Sequence, residues 1–177
     1  MDLGLNKNEV KLVSYSDEWK VYFNQAKKDI LKSLDISPVA IEHIGSTAIH
    51  GIMAKPIIDI VVGVEDITKL EKQFFKDLQQ AGFLRLRVER PEEIVLARFR
   101  DDTYQAKTHF IHLVDIEGNL WKNLIFFRDY LNENASEREA YLQLKRDYIQ
   151  HSNTGINDYT NHKEAFVRRI FGLRKDN

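Results

Sequence analysis

The sequence predicts a mixed-sheet α+β fold flanked by helices, with a helical C-terminal third. Three observations predict it. An amphipathic helical stripe opens the chain, strand-like runs fill its middle around one more helical stripe, and helical periodicity returns from Leu120 onward. At 177 residues the chain fits one domain spanning 1–177. A domain of this size buries roughly 70% of its unfolded surface, enough for a core without staples.

Residues 1–13 read as a tail and then a short extended segment. From Asp17 to Leu34, Trp19, Tyr22, Phe23, Ala26, Ile30 and Leu34 recur at spacings of three and four, which places them on one helical face. Asp17 is positioned to cap this helix, and Ser37-Pro38 stops it. Val39 to Ile44 reads as a strand, and Gly45 to Ala54 as a loop. Ile57 to Val64 is the best strand in the chain, with the near-continuous apolar run expected of burial on both faces. Asp66 to Ala81 reads as a second helix, closed by Gly82. Phe83 to Val88, Glu93 to Phe99 and Thr108 to Asp115 are strands, and the polar segment Arg100 to Gln105 turns the chain between the last two. Leu120, Leu124, Phe127 and Leu131 form a helical stripe. Ser136 and Glu139 make a capping box for the next helix, and a last helix runs from Asn157 to Phe171.

Composition removes several function classes. Twenty-six Lys and Arg against 27 Asp and Glu leave a net charge of −1, so no uniform positive field draws bulk nucleic acid or a membrane surface. The absence of cysteine excludes disulfides, thiol nucleophiles, Fe–S clusters and thiolate zinc, and fits a reducing, cytoplasmic location. Any metal must rest on carboxylates and the six histidines. No apolar run is long enough to span a membrane, and residues 1–10 lack the apolar stretch of a signal peptide. Nucleophile-elbow, Walker, dinucleotide-fingerprint and His-Glu-x-x-His motifs are absent.

The densest chemistry lies between Glu42 and Asp59, in Glu42-His43-Ile44-Gly45-Ser46-Thr47-Ala48 and Lys55-Pro56-Ile57-Ile58-Asp59-Ile60. Gly45 lets the backbone approach a ligand closely. Ser46 and Thr47 offer hydroxyls, and neighbouring amides can cradle a phosphate. Asp59 is the one charge inside an apolar strand, and an unpaired buried carboxylate costs several kcal/mol, so it needs a partner, a site role, or a salt bridge to Lys55 or Arg128. Asp59 and Glu42 are the candidate metal ligands, for Mg²⁺ or Mn²⁺ bridging carboxylate and phosphate oxygens. Lys55 and Arg128 are candidate phosphate contacts.

The run from Glu42 to Ile60 resembles the signature of the GrpB-like proteins, a bacterial family with a nucleotidyltransferase-like fold. The similarity continues through His109-Phe110-Ile111-His112-Leu113, Phe127-Arg128-Asp129-Tyr130-Leu131, Tyr141…Leu144-Lys145 and Asp158-Tyr159-Thr160…Lys163, covering Tyr15 to Phe171. The resemblance implies a mixed sheet flanked by helices. Some members of that family are fused to a coenzyme A biosynthetic kinase, which hints at nucleotide metabolism. The wider nucleotidyltransferase superfamily has a Gly-Ser loop, an acid-x-acid strand and a third acid on a later strand. Gly45-Ser46 and Asp59 match, but position 61, where the second acid belongs, is Val61. Two-metal chemistry holds its ions roughly 3.5–4 Å apart with several carboxylates. Replacement ligands are Glu42, His109 or His112, and Asp115 and Glu117 are candidate third acids.

Strand periodicity puts His109 and His112 on opposite faces, and likewise Glu42 and His43. His50, His151 and His162 read as surface or packing residues. Arg85, Arg87, Arg90, Arg98 and Arg100 cluster around two strands, as a solvated edge or a surface for an anionic ligand. Three functions compete. The first is a metal-assisted nucleotidyltransferase-like enzyme acting on a nucleotide or other phosphorylated small molecule. The second is a binding module that holds such a ligand without turnover. The third is another small-molecule enzyme using Glu42 and His112 as acid and base.

Overall fold

The computed structural model describes residues 2–7, 9, 11–151 and 156–175. Strand β1 (Leu5–Asn6) precedes helix α1 (Glu18–Ser33), which buries Trp19, Phe23, Ala26 and Ile30 as the apolar spacing requires. Its first turn is capped by Ser16, whose Oγ accepts the Glu18 N–H at 3.2 Å, whereas the Asp17 carboxylate accepts from the Tyr15 hydroxyl at 2.9 Å. Pro38–Ala40 forms a single 3₁₀ turn, so β2 (Ile41–Ile44) starts two residues later than expected. A 3₁₀ turn at Ser46–Ala48 leads towards β3 (Ile58–Val64).

The expected helix from Asp66 to Ala81 is divided into a 3₁₀ turn at Ile67–Lys69 and α2 (Lys72–Gln80). Side chains take the first turn's amide donors: Asp66 Oδ1 accepts from Thr68 N–H at 2.9 Å and Asp115 Oδ1 from Ile67 N–H at 2.7 Å. Such local bonds compete with helix continuation. Strands β4 (Leu84–Arg90), β5 (Glu93–Phe99) and β6 (Ala106–Asp115) follow, then α3 (Asn119–Glu133), α4 (Ala135–His151) and α5 (Ile156–Phe171). Helix α4 begins at Ala135, so Ser136 lies inside its first turn rather than at the cap. The side chains of His151, Asp158, Tyr159, Thr160 and His162 lie outside the described residues.

The sheet order is β2-β3-β6-β5-β4, with β1 pairing on β6. Among the described strands, only β3 and β6 run parallel; the other pairs are antiparallel. Ile58, Ile60, Val62 and Val64 of β3 join Ile111 and Leu113 of β6 in the core under α1 and α2. Residues between them face the other way, where Ile44, Val61 and Val114 pack on Trp121 of α3. Beyond, Phe127 and Leu131 of α3, Tyr141 of α4, and Phe166 and Ile170 of α5 form a further core. The mixed α+β fold flanked by helices is therefore as expected, and the helical layer from the last third covers the face that carries Asp59.

Candidate ligand-binding site

Register brings four ionisable residues, Glu42, Asp59, Glu93 and His112, onto one face. Ile44 of β2 and Phe110 of β6 lie opposite Asp59, and Glu42 and His112 lie opposite Val61. On the other side of β6, Val95 of β5 lies opposite His112. Glu93 is two residues before Val95, so it shares that face. His112 consequently stands between two carboxylates. Its Nε2 is 3.5 Å from Asp59 Oδ1, and its Nδ1 is 2.6 Å from Glu93 Oε2. Arg90, paired with Glu93 across the β4–β5 hairpin, holds the other Glu93 oxygen.

Burial alone would push the His112 imidazole towards neutrality. The hydrogen bonds and charges of Asp59 and Glu93 outweigh it and raise its pKa to about 9, so the ring is an imidazolium near neutral pH. Burial pushes the Glu93 carboxyl up, but His112 and Arg90 bring it down to about 2. Burial likewise pushes the Asp59 carboxyl up, and His112, helped by Lys163 and His43, leaves it below the ordinary aspartate value.

Gly45 is required beside this cluster. Its φ of 69° and ψ of −167° belong to a region that residues with a Cβ avoid, and a Cβ there would stand 2.6 Å from Asp59 Oδ2. Ser46 Oγ lies 3.1 Å from the Tyr141 hydroxyl, which ties the loop to α4. A cavity of 420 Å³ opens over the cluster, with Gly45, Asp59, Glu93, His112, Arg90 and Lys163 in its charged wall. Phe110, Leu120, Leu124, Phe127, Val167 and Phe171 form the apolar side.

The other residues singled out in the sequence lie elsewhere. Glu42 is bound by Arg128 at 2.6 Å, and Arg128 also donates to the His43 carbonyl at 3.0 Å and to Asp129 at 2.7 Å. This side chain ties β2 to α3 and is not part of the cavity wall. Thr47 is buried, with its hydroxyl 2.9 Å from His43 Nε2, while His43 stacks on Phe23 of α1 with ring centroids 4.9 Å apart. Burial lowers the His43 pKa to about 4, so it is a neutral core residue. His109 faces the opposite core from His112, bonded to Thr108 Oγ1 at 2.9 Å, as strand periodicity requires. Asp115 lies beside Val64, at the far end of β3 from Asp59, and accepts from Ile67. The acid that accompanies Asp59 and His112 is Glu93, not Asp115 or Glu117. The arginine cluster is dispersed: Arg98 bonds Asp29 and the Ala81 carbonyl, Arg100 bonds the Leu3 carbonyl, and Arg85 covers the Phe75 ring. His50 is exposed against Tyr15.

The two expected metal ligands are each engaged by a cation of the protein itself. Val61 supplies no ligand, Asp59 is engaged by an imidazolium, and Glu42 by a guanidinium. Among the described residues, no three His, Asp or Glu side chains converge as a metal-binding group.

Sequence reasoning gave no site role to Glu93, Tyr141, Lys145 or Lys163, and named Arg90 only as one of a cluster of arginines. Glu93 carried a signal, as the acid heading an apolar strand in phase with Val95 and Ala97. Lys145 carried another, four residues after Tyr141 on the buried stripe of α4.

Fold and cleft together define a class: a mixed-sheet α+β protein whose helical layer roofs a charged cavity. The chain belongs to the GrpB family, described as GrpB protein, whose model matches residues 9–172. It is 41% identical to the glutamate-rich protein GrpB of Alkalihalophilus pseudofirmus, over 95% of this chain and 97% of that one. It is 32% identical to a UPF0157 protein of Streptomyces coelicolor, over 92% of this chain and 82% of that one. The crystal structure of conserved protein GrpB from Enterococcus faecalis superposes with a TM-score of 0.76 at 25% identity, covering 92% of this chain and 95% of that one. Among the described residues, no helix is long and apolar enough to cross a membrane.

Proposed function

We propose that the cavity binds a nucleotide or another phosphorylated small molecule, using cations of the protein itself in place of a metal ion. One observation carries this reading: a 420 Å³ cavity has a charged wall facing an apolar wall lined by phenylalanine and leucine. Small-molecule sites fall at roughly 300–1,000 Å³ and combine apolar surface with a few placed polar groups. A ligand with a flat apolar body and an anionic head matches both walls. The Asp59–His112–Glu93–Arg90 row is charge-matched within itself, which gives it a fixed shape but no vacant carboxylate for an ion.

The test is a thermal-shift screen of nucleotides and phosphorylated metabolites, with and without Mg²⁺ or Mn²⁺, on the wild type and Asp59→Asn. Ligand at about 100 times its Kd adds ~2.7 kcal/mol of stability. Stabilisation without added metal supports the proposal, and no response to any phosphorylated compound overturns it. The packing of Gly45 on Asp59 favours a second reading, metal-assisted nucleotidyl transfer. Its signature is Mg²⁺-dependent release of pyrophosphate from a nucleoside triphosphate.

A further inference from the structure

Asp59, Phe110 and His112 stand side by side on the sheet beneath the cavity. Phe110 lies opposite Asp59 across the β3–β6 pair, and His112 follows two residues later on the same face. All three line the cavity. Side-chain exposure rises along the ion row, from 9% at Glu93 to 19% at His112 and 30% at Asp59, so the row opens towards its Asp59 end.

The two contacts of the His112 ring differ. Its Nδ1 meets Glu93 at 2.6 Å, a short charge-assisted hydrogen bond, and Arg90 holds the other Glu93 oxygen. Its Nε2 stays 3.5 Å from Asp59 Oδ1, beyond the roughly 2.7–2.9 Å of such a bond. Both partners are held back from closing that gap. Glu93 fixes the ring from one side, and Asp59 is packed against Gly45 on the other. The pair is thus matched in charge without closing into a short hydrogen bond. An ionised carboxylate only accepts, so each ring nitrogen that faces one carries its proton. The cavity wall therefore sets one strong acceptor, Asp59 Oδ1, beside one donor, His112 Nε2–H.

A ligand edge with an N–H next to a ring nitrogen or carbonyl complements both at once, and exchanges one long contact for two short ones. Nucleobases carry such edges; adenine sets its N6 amine beside N7. Proteins that read a single base hydrogen-bond its edge and stack its face on aromatic or apolar side chains. Phe110 supplies that face directly beside the pair, with Leu120, Leu124 and Phe171 in the same apolar wall. A sugar phosphate could meet the polar pair with hydroxyls, but it would leave the apolar wall without a partner.

We infer that Asp59 and His112 read the hydrogen-bonding edge of a nucleobase laid against Phe110, so that the ligand is a nucleotide rather than a phosphorylated sugar. The inference rests on the reading that the cavity binds a phosphorylated molecule, and it names the class of that molecule.

The probes are the common nucleoside 5′-monophosphates, derivatives of each methylated on the base edge, and ribose 5-phosphate, which has the same phosphate and no base. Thermal midpoint is read against concentration for the wild type and Asp59→Ala. At least one nucleotide should stabilise the wild type at about a tenth or less of the ribose 5-phosphate concentration that gives the same shift. Its edge-methylated derivative should need about ten times more than the parent. In Asp59→Ala, parent and methylated derivative should differ by less than about threefold. Ribose 5-phosphate as effective as every nucleotide, or a response confined to phosphorylated compounds without a base, overturns the inference and leaves the proposed function standing. A methylated derivative that binds the wild type as well as its parent does the same. An Asp59→Ala that binds more weakly but discriminates as before gives Asp59 a structural role, and also overturns the inference. If Asp59→Ala does not fold, the comparison of parent with methylated derivative on the wild type decides. A wild type that responds to no phosphorylated compound overturns the proposed function, and the inference with it.

Discussion

Gly45 lies against Asp59 so closely that a Cβ at position 45 would stand 2.6 Å from the carboxylate oxygen. The loop and the acid are therefore fixed by each other. Gly45→Ala must both leave its backbone region and displace Asp59, so it should cost at least about 2 kcal/mol in chemical denaturation. Gly51→Ala is the matched control. It has a φ of 78° but open space around its missing Cβ, and should cost about 1–2 kcal/mol. Equal losses would mean that contact with Asp59 is unimportant.

The imidazolium of His112 predicts a pH dependence. Its folded pKa, about 9, is above the unfolded value of 6.5, so its contribution is complete below 6.5 and is lost as pH rises through 9. His43 and His109 act in the opposite sense. Their folded values of about 4 lie below 6.5, so their contribution is complete above 6.5 and is lost as pH falls towards 4. The three histidines together therefore contribute most near pH 6.5, and the denaturant midpoint of the wild type relative to His112→Gln should fall from pH 6.5 to 9.

Glu93→Gln removes one of the two carboxylates that hold the His112 proton. The imidazole should then titrate about one unit or more lower, seen as a shifted midpoint in the NMR titration of its ring protons. An unchanged midpoint would show that Asp59 alone sets the charge.

Arg128 joins β2 to α3 through Glu42 and the His43 carbonyl. Arg128→Met should cost about 1–2 kcal/mol, a charge-assisted bond discounted for the partial exposure of Glu42. Affinity for a phosphorylated ligand should change by less than about twofold, well under 1.4 kcal/mol. A tenfold loss of affinity would instead make Arg128 a phosphate contact.

The residues explain what could be read in advance. Strand β5 was legible residue for residue, because Glu93 to Phe99 is bounded by a Pro-Glu turn and a polar loop. The faces of His109 and His112 followed from periodicity alone. Helix α2 was overextended because Ile67 and Leu70 continue its apolar stripe, while the carboxylates of Asp66 and of distant Asp115 take the amides that a first turn would use. Within the site, Gly45 and Asp59 were legible because each is locally odd: a glycine at a strand end and an acid in an apolar run. The His112–Glu93 pair was not, since it depends on which strands are neighbours and in what register. Arg128 was read towards phosphate because its sequence does not show that Glu42 waits across the β2–α3 contact.

The placement of the two walls has a consequence for assembly along the chain. Asp59, Glu93 and His112 all precede Asp115, whereas much of the apolar side, together with Tyr141 and Lys163, comes from helices that begin at Asn119. During synthesis the ion row can form on a water-facing sheet before its cover exists. The docking of the last three helices then walls it in and turns a surface feature into a cavity.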